Sequence, residues 1–236
     1  MIVRNWMRKP ISIAHDATLL EAAKRMKVNG SNWLPVVNGH NLVGTISVND
    51  LKQAIVSEAP SLKIHDMLSV IPEIKVSARM DHNPEKVLED RTIEEAADIL
   101  LDKAIGGVSV VDGEGRLKGI IERQDILRVL ISLSGLREKG LQVALKLVNR
   151  PGSVAEVEEI VRGYGCRILG MMSTFKEVER FRHVYLRLCK CDRTKLSEMT
   201  KDLQKLGKLL YVADLGENKT DFYGEYEPPM TERHIG

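Results

Sequence analysis

Two stretches of the chain carry the same succession of apolar and polar positions. Leu19, Ala22, Ala23 and Met26 stand at the spacing of a helix with one buried face, and so do Ile93, Ala96, Ala97, Leu100 and Leu101. Each run follows an Asp-x-Thr start signal ending in Thr18 or Thr92, and each is preceded by an extended segment led by Pro10 or Pro84. Two apolar strands come next, joined by turns written NG or DGEG, and then a second helix, DLKQAIV or DILRVLI. The phrase GTISVND (44–50) thus returns 75 positions later as GIIERQD (119–125). The pattern predicts two β-α-β-β-α units of about 55–60 residues, each too small to stand alone and together able to share a core. Residues 57–74 connect them, with a short helix expected to start at HDML.

After residue 140 the rhythm changes. LQVALKLV alternates as a strand, and NRPG makes a turn before a helix through Val154, Val157, Ile160, Val161 and Tyr164. CRILGMMS and HVYLRLCK read as strands around the charged loop FKEVERFR. A helix through Leu196, Met199, Leu203 and Leu206 and a last strand, KLLYVADL, complete a ferredoxin-like β-α-β-β-α-β order. From Gly216 the chain is polar, aperiodic and expected to be a tail. The fold class is therefore α/β (α+β), with boundaries at 1–56, 57–74 (linker), 75–135, 140–215 and 216–236.

Composition narrows the function. Apolar residues make up 43% and the net charge is +2, so neither nucleic acid nor an anionic membrane finds a clustered basic surface. Residues 1–10 lack the apolar run of a signal peptide, no stretch has the length of a membrane span, and a cytoplasmic, soluble protein is expected. Three cysteines do not make a disulfide framework. Cys189 and Cys191, expected on one face of a strand, are a weak zinc signal without a second pair, so no metal is expected. None of the six histidines forms an HxxxH or HExxH pair, and GxSxG, GxGxxG and the Walker sequence are absent. Glu94–Glu95 and Glu158–Glu159 fall on the polar sides of helices. No catalytic residue is predicted.

The repeated phrase is where chemistry concentrates. A strand ending at Gly44–Ser47 and a helix opening near Asp50 leave unpaired N–H groups that attract phosphate. Ser47 can donate to a phosphate oxygen, and the two oxygens of Asp50 suit the adjacent hydroxyls of a ribose. The plain alternative is that Asp50 caps the following helix. In the second copy Ser47 is replaced by Glu122. A carboxylate there repels phosphate by roughly 1 kcal/mol in water and about 4 kcal/mol near a protein surface. Arg123 could offset part of that, or Glu122 could point to solvent.

The Gly-x-x-Ser/Thr-x-x-Asp phrase at two strand-to-helix junctions resembles the motif of CBS domains, which pair as Bateman modules. The first copy (Gly44, Ser47, Asp50) fits it, and the second (Gly119, Asp125) departs at Glu122. The third region resembles an ACT domain through its turn Asn149-Arg150-Pro151-Gly152. Two CBS repeats followed by one ACT domain resembles the acetoin-utilisation protein family, over about 215 of the 236 residues.

The resemblance implies a non-catalytic, allosteric regulator that binds an adenosine nucleotide (AMP, ADP or ATP) or S-adenosylmethionine, with each ligand shared between repeats. It implies a nucleotide cleft of Ser47, Asn49 and Asp50, with Glu85, Ile105, Gly106 and Gly107 as the adenine wall. A weaker cleft would comprise Ile11, Ser31, Asn32, Trp33, Glu122, Arg123 and Asp125, although Trp33 also reads as core. An amino-acid effector of the ACT domain would lie at Asn149 and Gly152. Arg167 stands there where the family has Asn, which leaves the effector open, and NRPG can equally be a plain turn. A homodimer and a client metabolic enzyme are the implied partners. The rival readings are a scaffold with decayed sites and an accessory subunit or module of an enzyme.

Overall fold

Each repeat opens its first helix on a threonine. Thr18 caps α1 (Leu19–Asn29) and Thr92 caps α3 (Ile93–Asp102). In both, the hydroxyl accepts the N–H of the residue three on, Glu21 or Glu95, whose carboxylate accepts the threonine N–H in return. The computed structural model describes residues 1–58, 74–174 and 180–224, which divide into units Met1–Arg128 and Val129–Gly236. The helix expected at HDML lies outside the described residues.

In the first unit each repeat folds as β-α-β-β-α. The first contains β1 (Ile13–Ala14), α1, β2 (Trp33–Asn38), β3 (Asn41–Ser47) and α2 (Val48–Glu58). The second contains β4 (Lys86–Leu88), α3, β5 (Gly107–Val111), β6 (Leu117–Glu122) and α4 (Arg123–Ser134), whose last residues belong to the second unit. Both sheets are three-stranded, with a parallel first pair and an antiparallel second. Even the irregularity repeats: the register slips after Val36 in one and after Val110 in the other. Leu19, Ala22 and Met26 of the first stripe and Ile93, Ala96 and Leu100 of the second are buried; Leu101, read into the second stripe, is instead 77% exposed, because it falls one position past the buried face.

The periodicity did not reveal where the leading segments go. Residues 2–8 pair with the second repeat (Ile2 with Thr92, Arg8 with Ile120), and residues 75–81 with the first (Thr18 with Lys75, Thr45 with Asp81). Val3 and Val76 anchor them, each fully buried and each contributing roughly 1.5–3 kcal/mol on that account. This crossing explains the motif glycines. A Cβ on Gly44 would lie 2.7 Å from the Asp81 carbonyl oxygen and from Met80 Sδ; on Gly119 it would lie 2.9 Å from the Arg8 carbonyl oxygen and 2.6 Å from Met7 Sδ. Glycine is required there because another strand of backbone lies across it.

The second unit has the β-α-β-β-α-β order of the sequence reading. Its elements are β7 (Leu141–Val148), α5 (Ser153–Gly163), β8 (Arg167–Ser173), β9 (Phe181–Cys189), α6 (Leu196–Leu206) and β10 (Gly207–Asp214). The sheet order is β10-β7-β9-β8, all antiparallel. Val157 and Val161 of α5 and Met199 and Leu203 of α6 pack on Val143, Leu145, Val184, Leu186 and Leu188.

Three expectations need correction here. The tail does not begin at Gly216, because β11 (Lys219–Phe222) extends the sheet beyond β10; residues 225–236 lie outside the described ones. Phe181 and Arg182, read as loop, already belong to β9. Cys189 and Cys191 do not share a strand face. The chain turns at Lys190, with φ +57°, and Cys191 returns to form a disulfide with Cys166, Cα–Cα 4.4 Å. The spacing of three cysteines could not show this because Arg167, next to Cys166, pairs with Cys189 across β8 and β9.

Candidate functional site

Asp50 stands in the first turn of α2 and does the capping that the plain reading allowed. Its Oδ2 accepts the Ser47 N–H at 2.7 Å and the Ser47 hydroxyl at 2.6 Å, while Ser47 Oγ accepts the Asp50 N–H at 3.3 Å. This is a capping box, and it leaves Oδ1 of the half-buried carboxylate without a hydrogen bond among the described residues. The strand-to-helix turn is pinned further by Val48 N–H, which donates to the Asn32 carbonyl at 2.9 Å. A groove of about 360 Å³ in the same repeat is lined by Met26, Lys27, Ser31, Asn32, Val48 and Leu51; Ser47 and Asp50 are not among its lining residues. Asn49 is exposed.

The same turn in the second repeat is built differently. Asp125 Oδ2 accepts the Glu122 N–H at 2.9 Å, so the carboxylate half of the cap survives, but there is no hydroxyl to complete it. Arg8 takes its place. Its Nε donates to Asp125 at 3.0 Å and its terminal nitrogen to Glu122 Oε2 at 2.5 Å. Arg128 donates to Asp125 Oδ1 at 2.7 Å and Gln124 to Glu122 Oε2 at 2.6 Å. Asp125 is 4% exposed. Partial burial works against the charge on Arg8, but the bonds to Asp125 and Glu122 outweigh it and its pKa lies above the ordinary value. The cation expected to offset Glu122 was Arg123. The structure corrects this: Arg123 Nε donates instead to the Ile105 carbonyl at 2.9 Å, and Arg8 neutralises Glu122.

Arg8 and Arg128 are the residues that sequence reasoning missed at this site. No local signal could have found Arg8, because it stands in the leading segment of the first copy and reaches the second only through the crossing of the two segments.

The remaining candidates fall into two neighbourhoods. Ser31, Asn32 and Trp33 lie beside Ser47–Asp50 of their own repeat, with Trp33 opposite Ser47 in the β2–β3 ladder. Ile105, Gly106 and Gly107 lie beside Glu122–Asp125 of theirs, with Gly107 opposite Glu122 and Arg123 N–H donating to Gly106. The two meet at one point: a Cβ on Gly107 would fall 2.6 Å from Trp33 Cε2 and Nε1. The indole therefore covers the glycine, and its buried Nε1 has no hydrogen-bond partner among the described residues. Glu85 is paired with Lys103 at 3.5 Å, and Ile11 packs against the core of the first repeat.

In the second unit, Asn149 and Gly152 line a groove of about 490 Å³ with Arg150, Pro151, Ser153 and Arg182. Gly152 has φ +84° and precedes α5. Ser153 is 5% exposed and its hydroxyl has no partner among the described residues. Arg167 is not among the lining residues; it begins β8 opposite Cys189. Among the described residues no group of His, Cys, Asp and Glu is placed to hold a metal, and no helix is long and apolar enough to cross a membrane.

A family model described as CBS domain matches residues 3–57 and 73–132. A CBS domain-containing protein of Dictyostelium discoideum is 35% identical over 135 residues, which are 56% of this chain and 93% of that one. L-aspartate semialdehyde sulfurtransferase of Methanocaldococcus jannaschii is 30% identical over 54% of this chain, a match that spans 23% of the enzyme. Among solved structures, a Vibrio cholerae protein provisionally described as an acetoin utilization protein (AcuB) is 25% identical over 59% of this chain and 97% of its own, with a TM-score of 0.50. The two matched segments are the two β-α-β-β-α repeats, each with its strand-to-helix Asp, and the chain belongs to the family of CBS-domain proteins.

Proposed function

We propose that the chain is a non-catalytic regulatory sensor that binds an adenosine-containing ligand, AMP, ADP, ATP or S-adenosylmethionine, with its ribose on Asp50. The observation that carries this is the half-used carboxylate: one oxygen of Asp50 holds the helix cap, and the other accepts no bond among the described residues. The helix start adds N–H groups that favour an anionic group. The match to the sulfurtransferase, confined to 23% of that enzyme, fits a module that accompanies catalysis elsewhere in a chain. A second copy of this chain and a client metabolic enzyme complete this reading.

Because Asp50 both caps and binds, Asp50→Ala would confound a lost helix cap with a lost ligand. Asp50→Asn keeps an acceptor for the Ser47 N–H and removes the charge. A charge-assisted bond of about 1.5–3 kcal/mol corresponds to a roughly ten- to hundredfold loss of affinity. Calorimetry with AMP and with S-adenosylmethionine should show that loss with the melting temperature of the free protein little changed. Unaltered binding by Asp50→Asn would remove Asp50 from the site.

A second reading concerns the other unit. The Asn149–Ser153 turn, with a buried unpartnered hydroxyl on a groove before α5, favours an ACT domain with an amino-acid effector there.

A further inference from the structure

We propose that Arg8 is a built-in occupant of the second cleft, positioned by Glu122, and that it limits each chain to one adenosine-type ligand. The proposal rests on the reading that Asp50 holds a ribose.

A vicinal diol donates O–H groups to a carboxylate and needs at least one oxygen whose acceptor positions are free. Asp50 offers a free oxygen in a half-buried position. Asp125 offers none: Oδ2 accepts from Glu122 N–H and from Arg8 Nε, and Oδ1 accepts from Arg128 and lies 2.9 Å from Arg8 Nε. A ligand there would have to displace the guanidinium from a carboxylate that is almost fully buried.

Local symmetry shows that this is a difference between the repeats and not a feature of the fold. Arg8 and Asp81 occupy matching places, each exchanging two backbone hydrogen bonds with the strand before the motif, Arg8 with Ile120 and Asp81 with Thr45. From that place arginine reaches the motif, and Asp81 has no donor to do so; its carboxylate accepts the Asn83 N–H at 2.9 Å. The pair of residues at the two positions is therefore Asp81 with Ser47 in one cleft and Arg8 with Glu122 in the other. A planar guanidinium can bind two carboxylates at once, and Glu122 supplies the second, which fixes Arg8 against Asp125. Glu122 acts through Arg8 and is a positioning residue. On this account the exchange of serine for glutamate does not repel a phosphate; it holds an arginine where a ribose would go.

Calorimetric titration of the full chain with AMP, repeated with S-adenosylmethionine, counts the sites. One site per chain is expected for the unchanged protein and two for Arg8→Ala/Glu122→Ser, which restores the hydroxyl and removes the occupant. Adding Asp50→Asn should weaken the single site of the unchanged protein at least tenfold, while the double variant keeps one tight site. Two sites in the unchanged protein, or a single site in a cooperatively melting double variant, overturns the proposal and leaves the Asp50 reading standing. If the double variant does not fold, the stoichiometry of the unchanged protein decides: a single site that Asp50→Asn weakens supports the proposal, two sites of which one survives Asp50→Asn overturn it, and a single site that Asp50→Asn leaves unaltered removes the Asp50 reading and the proposal with it. Failure of both probes to bind any of these proteins removes the Asp50 reading itself, and the proposal with it.

Discussion

Replacing Gly119 by alanine tests whether the leading segment of one repeat is truly part of the other. The added Cβ would lie 2.9 Å from the Arg8 carbonyl oxygen, 2.8 Å from Met7 Cγ and 2.6 Å from Met7 Sδ. The methionine side chain can swing aside at small cost because its three torsions are soft. The carbonyl cannot, because it accepts the Ile120 N–H at 3.0 Å, and moving it lengthens one of the two bonds that hold Arg8 to β6. Overpacking of this kind costs about 1–3 kcal/mol. Against it stands the smaller entropy of an unfolded chain with alanine in place of glycine, worth about 0.4–1 kcal/mol where the backbone conformation is ordinary, as it is here. The net expectation is a loss of about 1–2 kcal/mol.

The assay isolates the unit concerned. Trp6 and Trp33 are the chain's two tryptophans, and both lie in Met1–Arg128, so indole fluorescence during urea unfolding reports on that unit. With a slope of about 2 kcal/mol per molar urea, the midpoint should fall by roughly 0.5–1 M. Gly113→Ala is the control: nothing lies within 4 Å of its Cβ and its φ is not positive, so its midpoint should hold or rise slightly. A Gly119→Ala protein as stable as the parent, or an equal drop for Gly113→Ala, would refute the packing of residues 7–8 across the motif glycine.

Two further expectations concern the second unit. Asp214 is held by two bonds from Arg193, with N–H groups of Gly216 and Glu217 adding to them, and its pKa is pushed down to about 2. A depressed carboxylate stabilises the fold above its unfolded pKa of about 3.9, and the contribution disappears as pH falls toward 2. With Arg193 half-exposed, Asp214→Asn should therefore cost about 1–2 kcal/mol at pH 7 and nothing near pH 2, as read by urea unfolding followed by far-ultraviolet circular dichroism at the two pH values. At the Asn149–Ser153 groove, a thermal-shift panel of amino acids should yield a stabilising ligand whose shift shrinks in Gly152→Val and Ser153→Ala. A shift that survives both would place the effector elsewhere.

What was legible in the sequence was whatever depends on neighbours along the chain. Thr18 and Thr92 announce their capping boxes because the cap needs residues three apart. Apart from Leu101, the helix stripes of both repeats and of α5 and α6 are the buried stripes because burial follows the helical period. Asp50 and Asp125 were found for the same reason, each standing in the first turn of its helix and accepting the N–H of the residue three positions before it. What escaped was every contact whose partner is far away in sequence. Arg8 meets Asp125 from 117 residues off, and Cys166 meets Cys191 across a turn at Lys190 that no periodicity encodes. β11 escaped because KTDF lacks an apolar alternation: its residues pair at a sheet edge, with little burial to leave a pattern.

The crossing of the leading segments also decides how two copies of one motif can come to differ. Residues 2–8 lie along the second repeat and residues 75–81 along the first, so each leading segment can set the surroundings of the other repeat's motif. Met7 and Met80 cover the two motif glycines alike, so the divergence in charge enters one residue later, at Arg8 and Asp81. Neither half of the Arg8–Glu122 pair is neutral by itself. Glu122 without Arg8 would leave a second carboxylate close to buried Asp125, a repulsion of about 1 kcal/mol in water and about 4 near a protein surface. Arg8 without Glu122 would keep its bond to Asp125 and lose the contact that orients the other end of its guanidinium. The two residues lie 114 positions apart in the chain, and reading either one within its own repeat misassigns it: Arg8 as a surface cation of the first, Glu122 as a barrier to phosphate in the second.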